Sequence, residues 1–122
     1  MATDPGFLDH VIDLFADIGP IRTGRLFGGT ALYCDEAMFA VIFGDALFMK
    51  ADGPLAQIYR DAGSHAFSYD TETGPRQING LMALPSSALE DSDEAKQWAR
   101  LSMVPALKAA QQKRARKARR KS

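Results

Sequence analysis

The chain has 122 residues, which fit one domain and leave no room for a second core of comparable size. Hydrophobic residues make up 46% and charged residues 25%, ordinary globular usage that argues against a disordered chain or a coiled coil. No apolar run approaches the ~18 residues that span a bilayer, so a soluble, cytoplasmic protein without membrane contact is expected.

The formal net charge of zero conceals a strong asymmetry. All fifteen acidic residues lie between Asp4 and Glu94. Seven of the fifteen basic residues precede position 107, and the other eight crowd the last fifteen positions. Residues 1–107 thus carry −8 and residues 108–122 carry +8. An acidic body with a basic tail suggests a polyanionic partner or self-neutralisation.

In chain order, the first element is a helix. Asp4 can cap it, Pro5 suits its first position, and Phe7, Val11, Leu14, Phe15 and Ile18 recur at helical spacing before Gly19-Pro20 ends it. Three strands follow as a meander: Arg25–Tyr33, Met38–Phe43 and Ala46–Lys50, the last two joined by Gly44-Asp45, a hairpin signal. Phe39–Phe43 is apolar without alternation, which predicts a central strand covered on both faces. A short helix starts at Gly53-Pro54 with a stripe of Leu55, Ile58, Tyr59 and Ala62. Strands are expected at Ala66–Tyr69 and Gln77–Leu84.

The last helix opens on Asp91 and Glu94, which have capping-box spacing. Ala95, Trp98, Ala99, Ser102, Ala106, Ala109 and Ala110 form a small-residue stripe with one large anchor. Pro105 predicts a kink or a fresh helix start. The expected fold is α+β: two layers with an antiparallel five-stranded sheet in the order α-β-β-β-α-β-β-α. Residues 1–110 form the body, and residues 111–122 form a basic tail that is frayed or disordered, because Lys113–Lys117, Arg116–Arg120 and Lys117–Lys121 set like charges four apart.

Few residues point to chemistry. Gly28-Gly29 lacks the continuation of a dinucleotide or Walker loop, which predicts a bulge or a close backbone contact. Arg25–Leu32 lacks the stacking aromatics of an RNA-recognition strand. His10 and His65 have no partner at metal-ligand spacing. The single cysteine, Cys34, has neither a disulfide partner nor a visible base, so a small buried residue is expected. Glu90, Asp91, Asp93 and Glu94 are explained by helix capping without a divalent ion. No catalytic, cofactor or metal residue is expected. The tail residues Lys113, Arg114, Arg116, Lys117, Arg119, Arg120 and Lys121 are the candidate contacts for DNA or RNA, through phosphates and without sequence preference. No aromatic interleaves them, so base stacking is not expected.

Several runs, taken together, carry a resemblance. They are Arg25-Leu26-Phe27-Gly28-Gly29-Thr30-Ala31-Leu32-Tyr33, Met38-Phe39-Ala40-Val41-Ile42 and Leu47-Phe48-Met49-Lys50-Ala51-Asp52, followed by Phe67-Ser68-Tyr69, Leu84-Pro85, Leu89-Glu90-Asp91 and Trp98-Ala99-Arg100. In this order the chain, from about residue 7 to 110, resembles the TfoX N-terminal domain family, the TfoX/Sxy competence-regulator family. Leu26, Thr30-Ala31, Glu36 and Met82-Ala83 depart from its pattern. The resemblance implies an antiparallel two-layer fold and a stand-alone copy of a domain that elsewhere precedes a second one. It also implies a non-enzymatic role in transcription-related regulation, with full-length members assisting the cyclic-AMP receptor protein at competence genes. It supplies no catalytic residues. Phe27, Gly28, Gly29, Lys50, Asp52 and Trp98 match its motif, with structural roles. The expected partners are a regulatory protein and, through the tail, nucleic acid; a homodimer working purely by protein contact is the alternative, and a small-molecule-binding domain a further one.

Overall fold

The computed structural model describes residues 3–121, with side chains through Arg119. Helix α1 spans Pro5–Leu14, with Asp4 accepting the Gly6 N–H at 3.0 Å and Pro5 in the first turn. Both are signals that the sequence carries, since a first-turn proline forfeits no helix hydrogen bond. A 3-10 turn over Ala16–Ile18 leads into the sheet.

The antiparallel sheet has six strands rather than five: β1 (Arg22–Leu26), β2 (Gly29–Cys34), β3 (Ala37–Phe43), β4 (Ala46–Lys50), β5 (Ala66–Thr71) and β6 (Gly74–Ala83), ordered β1-β2-β3-β4-β6-β5. The extra strand comes from dividing Arg25–Tyr33. Leu26 pairs with Gly29, and Phe27-Gly28 form a two-residue turn with φ of +48° and +82°. Two successive left-handed residues are the geometry of a type I′ hairpin, usually written Asn-Gly. A phenylalanine in the first turn position hid it in an aromatic run. Gly29 is the close contact expected: a Cβ there would collide with the Ile42 carbonyl and lie 2.6 Å from the Phe43 ring. Gly44-Asp45 joins β3 to β4 as the spacing predicts, with Phe43 opposite Ala46.

Helix α2 (Gly53–Asp61) is capped by Asp52, whose carboxylate accepts the Leu55 N–H at 2.9 Å. Its stripe is narrower than expected: Leu55, Ala56 and Tyr59 are buried, but Ile58 is exposed. A second 3-10 turn (Ser86–Glu90) precedes α3, Ser92–Lys121. Asp91 caps α3 through the N–H groups of Asp93 and Glu94, at 3.0 and 3.2 Å. The expected capping box is only half formed, because Glu94 turns instead to Ser87 Oγ and Trp98 Nε1.

Helix α3 is continuous through Pro105, so no fresh helix starts there. Its backbone stays helical through residues 111–121, the stretch for which like-charge repulsion predicts fraying. Nucleation is the costly step of helix formation, and here the docked N-terminal half supplies it.

The core lies between the sheet and the three helices. The small-residue stripe Ala95, Ala99, Ser102 and Ala106 is fully buried and lets α3 lie close against β3 and β4. Trp98 stacks on Tyr59, with ring centroids 4.4 Å apart. Phe15 meets Phe39 edge to face at 5.4 Å. No helix among the described residues is long and apolar enough to cross a membrane.

Candidate interaction surface

All three helices pack on one face of the sheet, so strand alternation sends a second set of side chains to the opposite face. That set is Val41 and Phe43 from β3, Phe48 from β4 and Leu81 from β6, with Leu26, Met38, Ala46, Phe67 and Ala83 around them. Phe39–Phe43 is buried along its whole length on a central strand, as the apolar run predicts, but helices cover only one of its faces. A bulge at Phe39 and the pleat give β3 one helix-covered face and one open, aromatic face.

The cover that Phe43 and Phe48 have comes from the β5–β6 hairpin. β6 pairs with β4 only over Leu81–Ala83. The β5 register jumps from Met82, opposite Ala66, to Ile78, opposite Phe67. Residues 67–78 thus form a two-stranded arm beyond the sheet, and a free hairpin of this kind is marginal in water. Phe67 anchors it, stacking on Phe43 at 4.6 Å and meeting Phe48 at 5.0 Å, while Tyr69 stacks behind Phe67 at 6.0 Å. At the base of the arm, Arg60 donates to Asn79 Oδ1 at 2.7 Å.

Between the arm and the β1–β2 turn lies a groove of about 560 Å³, lined by Leu26, Phe27, Phe43, Phe67, Tyr69, Ile78 and Leu81. Phe27 stands at its rim with 88% of its surface exposed, and Tyr69 and Ile78 are also exposed. At the other end of the hairpin, Arg22 lies 4.3 Å over the Tyr33 ring. This contiguous apolar surface is the candidate contact surface of the chain.

The motif residues have local roles. Phe27 and Gly28 make the turn, Gly29 the close approach, Asp52 the α2 cap and Trp98 the stack on Tyr59. Lys50 closes β4 opposite Leu81. Of these, only Phe27 lines the groove. Sequence reasoning missed Phe43, Phe67, Tyr69, Ile78 and Leu81 as site residues. The available signal was the aromatic residues of the strand segments Phe39–Phe43 and Phe67–Tyr69, more than one helix-covered face of a sheet takes.

The polar candidates are absorbed by the fold. His10 Nε2 lies 2.8 Å from the Leu89 carbonyl, and His65 lies edge-on to Phe48. Cys34 is buried, with Sγ 3.8 Å from the Ile18 carbonyl; desolvation, and then the Asp35 charge, push its thiol pKa up, away from nucleophilic use. No cluster of three or more metal-ligating side chains occurs among the described residues. Lys113, Arg114, Arg116, Lys117 and Arg119 are exposed along the last turns of α3, far in sequence from the groove. The side chains of Arg120 and Lys121 lie outside the described residues.

No curated protein matches this chain. The family model for the TfoX N-terminal domain matches residues 13–106, from the end of α1 to just beyond Pro105 in α3. With that match covering nearly all of the folded body, the chain belongs to the TfoX N-terminal domain family.

Proposed function

We propose that the chain is a regulatory domain that acts by contact rather than by catalysis, with its open sheet face as the protein-binding surface. The single observation that carries this reading is the one-sided placement of the helices, which leaves Phe27, Tyr69 and Ile78 exposed around an apolar groove. Membership in a family of competence-related regulators directs the reading toward transcription. The test is the transcript profile of cells lacking the protein, complemented by the wild type or by Tyr69→Asp. Tyr69 is a half-exposed rim residue, so the variant should fold, yet it should fail to restore the wild-type profile. An unchanged profile on deletion would remove the regulatory reading.

The helical tail supports a second, compatible contact. Lys113, Arg114, Arg116 and Lys117 are presented on exposed helix, where phosphate binding would relieve their mutual repulsion and release counterions. Anisotropy of a labelled duplex should rise with the full chain at low salt, fall steeply at physiological salt, and stay flat with residues 1–110. Salt-insensitive binding by the truncated chain would place the contact elsewhere.

A further inference from the structure

We infer that the occupant of the open face is a second copy of this chain. The copies pair about a two-fold axis, with Phe27 of each inserted into the groove of the other. The inference rests on the reading of this face as a contact surface and names its partner.

Phe27 is the first ground. A bulky residue with φ of +48° is held in the left-handed region, which costs a side-chain-bearing residue about 1–2 kcal/mol. The same residue leaves 88% of its surface in water. Neither cost gains anything within one copy: glycine would make the same turn without strain or exposure. A knob set at the rim of an apolar groove gains when the groove it fills is on another molecule.

Symmetry is the second. In a two-fold interface the same patch serves both partners, so it must carry both a projection and its complement. The patch here does, with Phe27 on the β1–β2 turn and Phe43, Phe67, Tyr69 and Ile78 across from it. An axis running along the strands sets each β1–β2 hairpin against the partner's β5–β6 arm.

Area agrees with that arrangement. The whole chain has a formal net charge of zero, so no long-range repulsion opposes its own copy. Six strands about 4.8 Å apart and about 20 Å long give a face of roughly 25 by 20 Å. Two such faces bring the buried total to about 1,000 Å², the threshold for a specific interface.

The test is the solution mass of the full chain by analytical ultracentrifugation, from about 1 to about 500 µM at physiological salt. The wild type should move from the 13.3 kDa chain mass to twice that value. Phe27→Gly preserves the left-handed turn and so cannot fail for want of folding. It should weaken dimerisation about 100-fold or more, as expected on removing a central aromatic anchor. Tyr69→Asp should do the same from the groove side. A wild-type mass of one chain throughout, or a dimer that both variants leave intact, would overturn the pairing. If the wild type is a monomer and Tyr69→Asp still fails to restore the transcript profile, the contact-surface reading survives and only the second copy is lost.

Discussion

The hydroxyl of Tyr59 on α2 lies 2.7 Å from the hydroxyl of Ser102 on α3, and both residues are fully shielded from solvent. This hydrogen bond, together with a 3.5 Å approach of the Tyr59 hydroxyl to the Trp98 carbonyl, is what makes a polar pair tolerable in the helix layer. Ser102→Ala removes the main partner of a buried phenol and should cost about 1–2 kcal/mol in urea unfolding. In the double variant with Tyr59→Phe the loss should be smaller than the sum of the two, because no orphan hydroxyl remains.

Burial pushes the Tyr59 phenol pKa well above its ordinary value, against a smaller lowering by Ser102. The unfolded phenol therefore ionises first. Its contribution to stability is fully present below the unfolded value of about 10 and is lost as pH rises above it. Urea midpoints should fall more steeply above that pH in the wild type than in Tyr59→Phe. Equal slopes would show that Tyr59 does not drive the alkaline loss.

Asp35 and Glu36 form the β2–β3 turn with φ of +51° and +64°, and Glu36 is exposed. Glu36→Gly should raise stability by about 1 kcal/mol, since glycine takes the left-handed conformation without a Cβ clash. Thermal melts of the two proteins at equal concentration decide it, and an unchanged or lower midpoint would count against strain at this turn.

Gly29→Ala should act in the opposite direction. The added methyl meets the Ile42 carbonyl and the Phe43 ring, and the first is backbone that cannot step aside. A loss of about 2–3 kcal/mol is expected from overpacking of this kind. Because β2 and β3 separate at this point, amide exchange in the Gly29–Phe43 region should quicken more than exchange in α2.

Much of this molecule is legible in its residues, for reasons that differ by element. Asp4-Pro5, Gly53-Pro54 and Asp91 announce helix starts because such signals are local, satisfied within three residues. Gly44-Asp45 announces a hairpin for the same reason. The β1–β2 turn was hidden because Phe27 looks like strand interior, and its left-handed backbone is not a local preference. The groove was hidden more deeply. Phe43, Phe67 and Ile78 come together only because the β5 register jumps at Phe67, and a register shift is set by tertiary packing rather than by neighbouring residues. In α3, six alanines and serines announced close packing correctly, whereas the option of a fresh helix start at Pro105 gave a single proline more weight than the docked face on both sides of it.

The unbroken course of α3 also turns a charge count into a direction. Asp93 and Glu94 sit in its first turn and the basic run along its last, so the side-chain charges run opposite to the intrinsic polarity of the helix and are stabilised by it at both ends. With residues 111–119 exposed on every side, the positive pole is carried at the tip of a rod instead of being spread over the surface. A molecule with zero net charge then behaves as a large electric dipole. It should be retained by both anion- and cation-exchange media near neutral pH, in opposite orientations, and should turn end-on toward any charged surface before touching it.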